Sequence, residues 1–111
     1  MPADVTVRIT AYAVSALPPD HLDAEHFTLA VEWRGNDRWA ILDGQFCLNA
    51  DGGWDYELRP SEREDDWLNS HRFDLATALH LATKAAAVMK VNGSTVADVL
   101  ARVARRKGAT S

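Results

Sequence analysis

The chain has one cysteine, Cys47, so no disulfide forms within it and an oxidising compartment is neither required nor suggested. Long hydrophobic runs are missing as well: no stretch approaches the about 18 apolar residues of a membrane span. The opening residues MPADVTVRIT carry no basic stretch ahead of an apolar core. Neither secretion nor membrane insertion is expected, and the cytoplasm is the default location. Positive charge is in deficit, with a net charge of −4. A non-specific nucleic-acid binder needs excess positive charge to displace counterions, so nucleic acid is an unlikely default partner. No glycine-bounded nucleophile, phosphate-cradling glycine loop or cysteine pair occurs. No catalytic centre and no cofactor are therefore expected.

What is present suits one globular domain. The chain has 111 residues, 47% of them hydrophobic and 25% charged, enough to bury roughly two-thirds of its unfolded surface around one core. Residues 1–106 are expected to form that domain and 107–111 a frayed tail. The acidity is local. Asp51, Asp55, Glu57, Glu62, Glu64, Asp65 and Asp66 stand against Arg59 and Arg63, giving this segment −5 and leaving +1 for the rest.

Alternation of apolar and polar residues in VTVRITAYAV predicts a half-buried strand from about Ala3 to Ala16, stopped by Pro18 and Pro19. FTLAVEWR alternates too, with Phe27, Leu29, Val31 and Trp33 inward. A turn at Gly35–Asp37 leads into RWAIL, and Asp43–Gly44 suits a tight hairpin that returns as QFCLN. Asp51–Gly53 turns into WDYEL, with Trp54, Tyr56 and Leu58 on one face and Asp55 and Glu57 on the other. Pro60 ends the sheet. Ser61 with Glu64 fits a capping box for a short acidic helix near Glu62–Ser70, anchored by Trp67 and Leu68.

Asp74 is the expected N-cap of the main helix, whose apolar stripe is Leu75, Leu79, Ala82, Ala86 and Met89. Asn92–Gly93 is its expected stop. Ser94 or Thr95 then caps a last helix with the stripe Val96, Val99, Leu100 and Val103. The predicted fold is α+β: an antiparallel meander of four to five strands, two C-terminal helices packed on one face, and a short acidic helix between.

Several groups of residues invite a chemical reading. The histidines of HLDAEH are five apart, about 140° around a helix, and cannot share a metal there. No metal site is expected. His71 with Cys47 is the best base and nucleophile pair for a small hydrolase or transferase, against structural roles for both. Arg102, Arg105, Arg106 and Lys107 line a helix that a nucleic-acid-binding regulator would use, against a solvated face. Trp33 and Trp39 straddle one turn and should pack across strands. Trp54 and Trp67 flank the acidic segment. With Tyr56, Glu62, Asp65 and Asp66 they are the candidates for contact with a protein partner.

The combination WAI, FCLNADGGWDYELRPSEREDDWLNSHRFDLATALHLA and VNGSTVADVL resembles small uncharacterised proteins of actinobacteria and their phages. The excess of nine arginines over three lysines, a mark of GC-rich coding, agrees with that source. The resemblance brings no active residues. It implies a cytoplasmic accessory protein, and for phage members one that binds a host protein. The leading expectation is a non-enzymatic interaction module, with an open sheet face or edge left for a partner or a second copy of the chain.

Overall fold

The computed structural model describes residues 3–109, with side chains up to Arg102. Five strands pair in the order of the chain: β1 (Ala11–Ser15), β2 (Thr28–Trp33), β3 (Trp39–Asp43), β4 (Phe46–Leu48) and β5 (Trp54–Tyr56). Every pairing is antiparallel. The sheet is therefore the expected meander, and β1 and β5 are its edges. Three helices follow, α1 (Asp65–His71), α2 (Leu75–Ala87) and α3 (Val96–Ala109). A two-stranded hairpin, β6 (Lys90–Val91) and β7 (Ser94–Thr95), joins α2 to α3. The α+β class read from the sequence holds.

Register assigns the faces. Val14 lies opposite Leu29, Val31 opposite Ile41, and Trp33 opposite Trp39. These residues, with Leu48, share the face that packs on Ala78, Ala82 and Ala86 of α2. Alanines along that side let the helix approach the sheet closely, which places Leu29, Val31 and Ile41 entirely out of solvent. The opposite face carries Ala30, Ala40, Leu42 and Cys47, and there α1 lays Trp67 against it. Thus α2 and α1 cover opposite faces. The last helix joins through a separate cluster of Leu17, Ala24, Phe27 and Val99 at the end of the sheet.

Local expectations fail where a pattern had two solutions. The first strand runs only over Ala11–Ser15, although the alternation begins at Ala3. β2 ends at Trp33 and leaves residues 3–9 without a paired strand among the described residues. Ser61 does not cap the acidic helix: it lies in a 3-10 turn, Pro60–Glu62, and α1 starts at Asp65, with Glu64 at the N-cap position and no side-chain cap. Arg63 intervenes in extended conformation, because its guanidinium is held by the Leu58 carbonyl at 2.7 Å.

The turn at Asp43–Gly44 is shifted by one. Gly44 and Gln45 are its central residues, with Gly44 at φ 59° and Gln45 not positive, as in a type II′ turn. Asn92–Gly93 does not end α2, which stops at Ala87. Both residues have positive φ, 51° and 79°, and form the two-residue turn of the β6–β7 hairpin. The caps of the longer helices behave as expected. Asp74 accepts from Thr77 N–H at 2.8 Å. Thr95 and Asp98 cap α3 reciprocally, at 3.0 and 3.1 Å. α3 reaches Ala109, and residues 110–111 of the expected tail lie outside the described residues.

Candidate functional site

β5 is short, exposed along its length, and sends alternate side chains to different environments. Asp55 points to the α1 face. Asn49 holds the preceding turn, its Oδ1 accepting from the N–H groups of Asp51 and Gly53, while its Nδ2 donates to Asp55 at 2.9 Å. His71 Nε2 donates to the same carboxylate oxygen at 2.8 Å. The hydrogen bond from Asn49, then that from His71, holds the Asp55 carboxyl below the usual range.

Glu57, one residue beyond the strand, is the other anchor. Arg72 donates to it at 2.9 Å and Arg34 at 3.2 Å. Burial pushes Glu57 up, but the hydrogen bonds and charges of Arg72 and Arg34 outweigh it and leave the pKa lowered. Two of the acids that mark this segment are thus tied into the fold.

Trp54 and Tyr56 go to the α2 face, beyond the part of the sheet that α2 covers. They are 38% and 64% exposed. The Tyr56 ring lies 4.8 Å from that of Phe46 across the strand pair. Beside Trp54 a groove of about 520 Å3 runs to the end of α2; Leu48, Leu81, Ala85, Val88 and Met89 give it a mostly apolar lining, to which Asp43, Lys84 and Lys90 add charge. The backbone adds a second element. Asn49 donates to the Gly53 carbonyl and Glu57 to the Gln45 carbonyl. Alternation in an antiparallel ladder then turns the N–H and C=O groups of Trp54 and Tyr56 outward, to the open edge.

The other expected contact residues do not join this surface. Trp67 sits on the opposite face, half-buried, stacked on His71 at a centroid distance of 4.2 Å and an interplanar angle of 8°. Arg72 lies over its ring at 5.0 Å. Glu62, Asp65 and Asp66 are exposed on the α1 side, and Glu62 pairs loosely with Arg59 at 3.7 Å. The six candidates divide between two sides of the sheet, so they do not form one contact surface.

Cys47 and His71 are not joined by a hydrogen bond. The Cys47 thiol is fully buried, and burial, followed by the charge of Glu57, pushes its pKa to about 11. That opposes the thiolate a nucleophile requires. Ser70 Oγ lies 2.7 Å from His71 Nδ1, which with Asp55 lines up serine, histidine and aspartate. The serine hydroxyl, however, also has the Trp67 and Asp66 carbonyls as acceptors at 3.0 and 3.2 Å, and His71 Nδ1 lies 2.7 Å from the same Trp67 carbonyl, which can only accept. Neither Ser70 nor His71 lines any of the five main clefts among the described residues.

A basic cleft of about 480 Å3, absent from the sequence reading, opens between the β2–β3 turn and α1. Arg34, Arg38, Arg63 and Arg72 line it. Each guanidinium is already engaged: Arg34 and Arg72 on Glu57, Arg38 on the Arg72 carbonyl, and Arg63 on the Leu58 carbonyl. The reciprocal backbone bonds between Trp39 and Phe73 draw these distant residues together, and no spacing in the sequence signals that bridge.

At the C-terminus Arg102 is exposed and donates to Ser94 Oγ. The side chains of Arg105, Arg106 and Lys107 lie outside the described residues. His21 Nδ1 accepts from Asp23 N–H, and His26 is exposed in a 3-10 turn. Among the described residues no three His, Cys, Asp or Glu side chains gather as a metal would need, and no helix is long and apolar enough to cross a membrane. Compared with known proteins, the chain matches no protein-family model, no curated protein and no solved structure.

Proposed function

We propose that this protein is a non-enzymatic interaction module whose last sheet strand receives an extended segment of a protein partner. The carrying observation is the open edge of β5, where outward backbone groups of Trp54 and Tyr56 coincide with exposed aromatic side chains and a mostly apolar groove. An added strand supplies main-chain hydrogen bonds for affinity, and its alternate side chains rest on Phe46, Trp54 and Tyr56 for selectivity. Asp55 and Glu57, engaged on the other face, keep β5 rigid for docking. The resemblance to actinobacterial and phage proteins suits a cytoplasmic accessory role directed at a host protein. Trp67, Glu62, Asp65 and Asp66 have no part in this contact.

Affinity capture from bacterial lysate tests the reading, using wild type, Trp54→Ala, Tyr56→Ala and Asp66→Asn. The expected result is one partner retained by wild type and Asp66→Asn and weakened at least about tenfold by either aromatic change, the loss of more than about 1 kcal/mol that marks an interface anchor. Amide hydrogen exchange of the complex should slow at residues 54–56. A partner that binds both aromatic variants normally, or leaves those amides unprotected, refutes the proposal.

A further inference from the structure

Residues 3–9 have no partner strand among the described residues, and the outer edge of β1 is open as well. The segment keeps strict alternation, and its three apolar side chains are bare: Val5 is 87% exposed, Val7 93% and Ile9 66%. Its last backbone bond to the sheet is at the Thr10 carbonyl, which accepts from Trp33 N–H at 2.9 Å. Beyond that bond the chain leaves β2 for the Gly35–Asp37 turn, and no strand among the described residues lies alongside. The Arg8 guanidinium lies over the Trp33 ring, 4.4 Å from its centroid, which ties the segment to the end of β2 through a side chain.

Along β1 itself the unmet groups are on the backbone. Because Thr10 bonds to β2, alternation assigns Tyr12 and Val14 to β2 as well, and turns the N–H and C=O groups of Ala11, Ala13 and Ser15 outward. Ala11 and Ala13 are also exposed on the face away from α2.

We infer that residues 3–10 are an exchanged strand that pairs antiparallel with β1 of a second copy of this chain, about a two-fold axis at Ile9. In that register Val5 faces Ala13, Val7 faces Ala11 and Ala3 faces Ser15, so every residue from 3 to 15 is paired. All outward backbone groups meet outward groups. The bulky Val5 and Val7 fill the space left by Ala11 and Ala13 on the same face. Arg8 faces Thr10; shifting the axis to Arg8 would set two like charges directly opposite, which is unfavourable. The contact is self-complementary, as a closed dimer requires, and joins two five-stranded sheets through their β1 edges. The proposal concerns β1, not the β5 edge, and either can fail without the other.

Light scattering reads the result directly. Wild type is expected at twice the 12.2 kDa chain mass. Val7→Pro, which removes an N–H used only between copies, is expected at the single-chain mass with an unchanged circular dichroism spectrum, and Thr6→Ala at the dimer mass. Under mild oxidation Ile9→Cys should link to its own copy across the axis, while Asp4→Cys should not. A single-chain mass for wild type, or a dimer that survives Val7→Pro, overturns the inference. Linking of Asp4→Cys as readily as Ile9→Cys overturns the register and the two-fold at Ile9.

Discussion

His71 Nε2 lies 2.8 Å from the Asp55 carboxylate, a bond that ties α1 to the exposed edge strand across sixteen positions of sequence. The same imidazole is stacked on Trp67, which packs on Ala40, Leu42 and Cys47. One side chain thereby links the face opposite α2 to the strand that carries Trp54 and Tyr56. Its neighbour Arg72 does the same through Glu57.

Glu57→Gln should be among the most damaging polar substitutions. Arg72 is almost wholly buried, and without the carboxylate its charge has no counter-ion among the described residues. A cost of about 3 kcal/mol or more at neutral pH is expected in urea denaturation, the range seen when one partner of a buried pair is removed. A cost below about 1 kcal/mol would mean that Arg72 is compensated elsewhere.

Acid should weaken the fold through Asp55 and Glu57. Both carboxyls are held below their ordinary values of about 3.9 and 4.3, so the unfolded chain takes up protons first as pH falls. The stability they contribute is fully present above those values and is lost as pH falls through the lower, folded-state pKa values. Denaturation midpoints should be level from pH 7 to about 5 and fall below about 4. Asp55→Asn should flatten part of that decline; an unchanged slope removes Asp55 from the account.

Cys47 should resist thiol reagents in the native state. With its thiol buried and its pKa near 11, almost none is ionised at pH 8. Labelling is expected only at the rate of unfolding and should accelerate through the denaturation transition. Fast labelling of native protein would place the thiol in contact with solvent.

The three candidate caps are predicted to separate. Asp74→Ala and Thr95→Ala each remove an observed cap and should cost about 1 kcal/mol, whereas Ser61→Ala should cost almost nothing. Equal effects at Ser61 and Asp74, compared by thermal melting, would restore the capping box that the fold lacks.

The two tryptophans of the acidic segment should also differ. Trp67→Ala loses its packing on the sheet and its stacking on His71, an expected cost of about 2–4 kcal/mol. Trp54→Ala should cost about 1 kcal/mol or less, since its ring lies on the open side of the groove. Chemical denaturation of both variants checks the order.

Strand alternation, turn residues and the Asp74 and Thr95 caps are local. They placed the meander, the main helix and the last helix because neighbours in sequence decide those choices. The Asn92–Gly93 pair read as the stop of the main helix and proved to be a hairpin turn, since a helix stop and a type I′ turn use the same residues. Tertiary structure decided what depended on distant partners. Register sent Trp54 and Trp67 to opposite faces, although both flank one acidic run. The Trp39–Phe73 bridge gathered four scattered arginines around one cleft. The end of β2 at Trp33 left the first alternating segment without a paired strand among the described residues. Alternation specifies that a segment is suited to pair, but whether a strand lies within about 4.8 Å to receive it is a property of the folded chain.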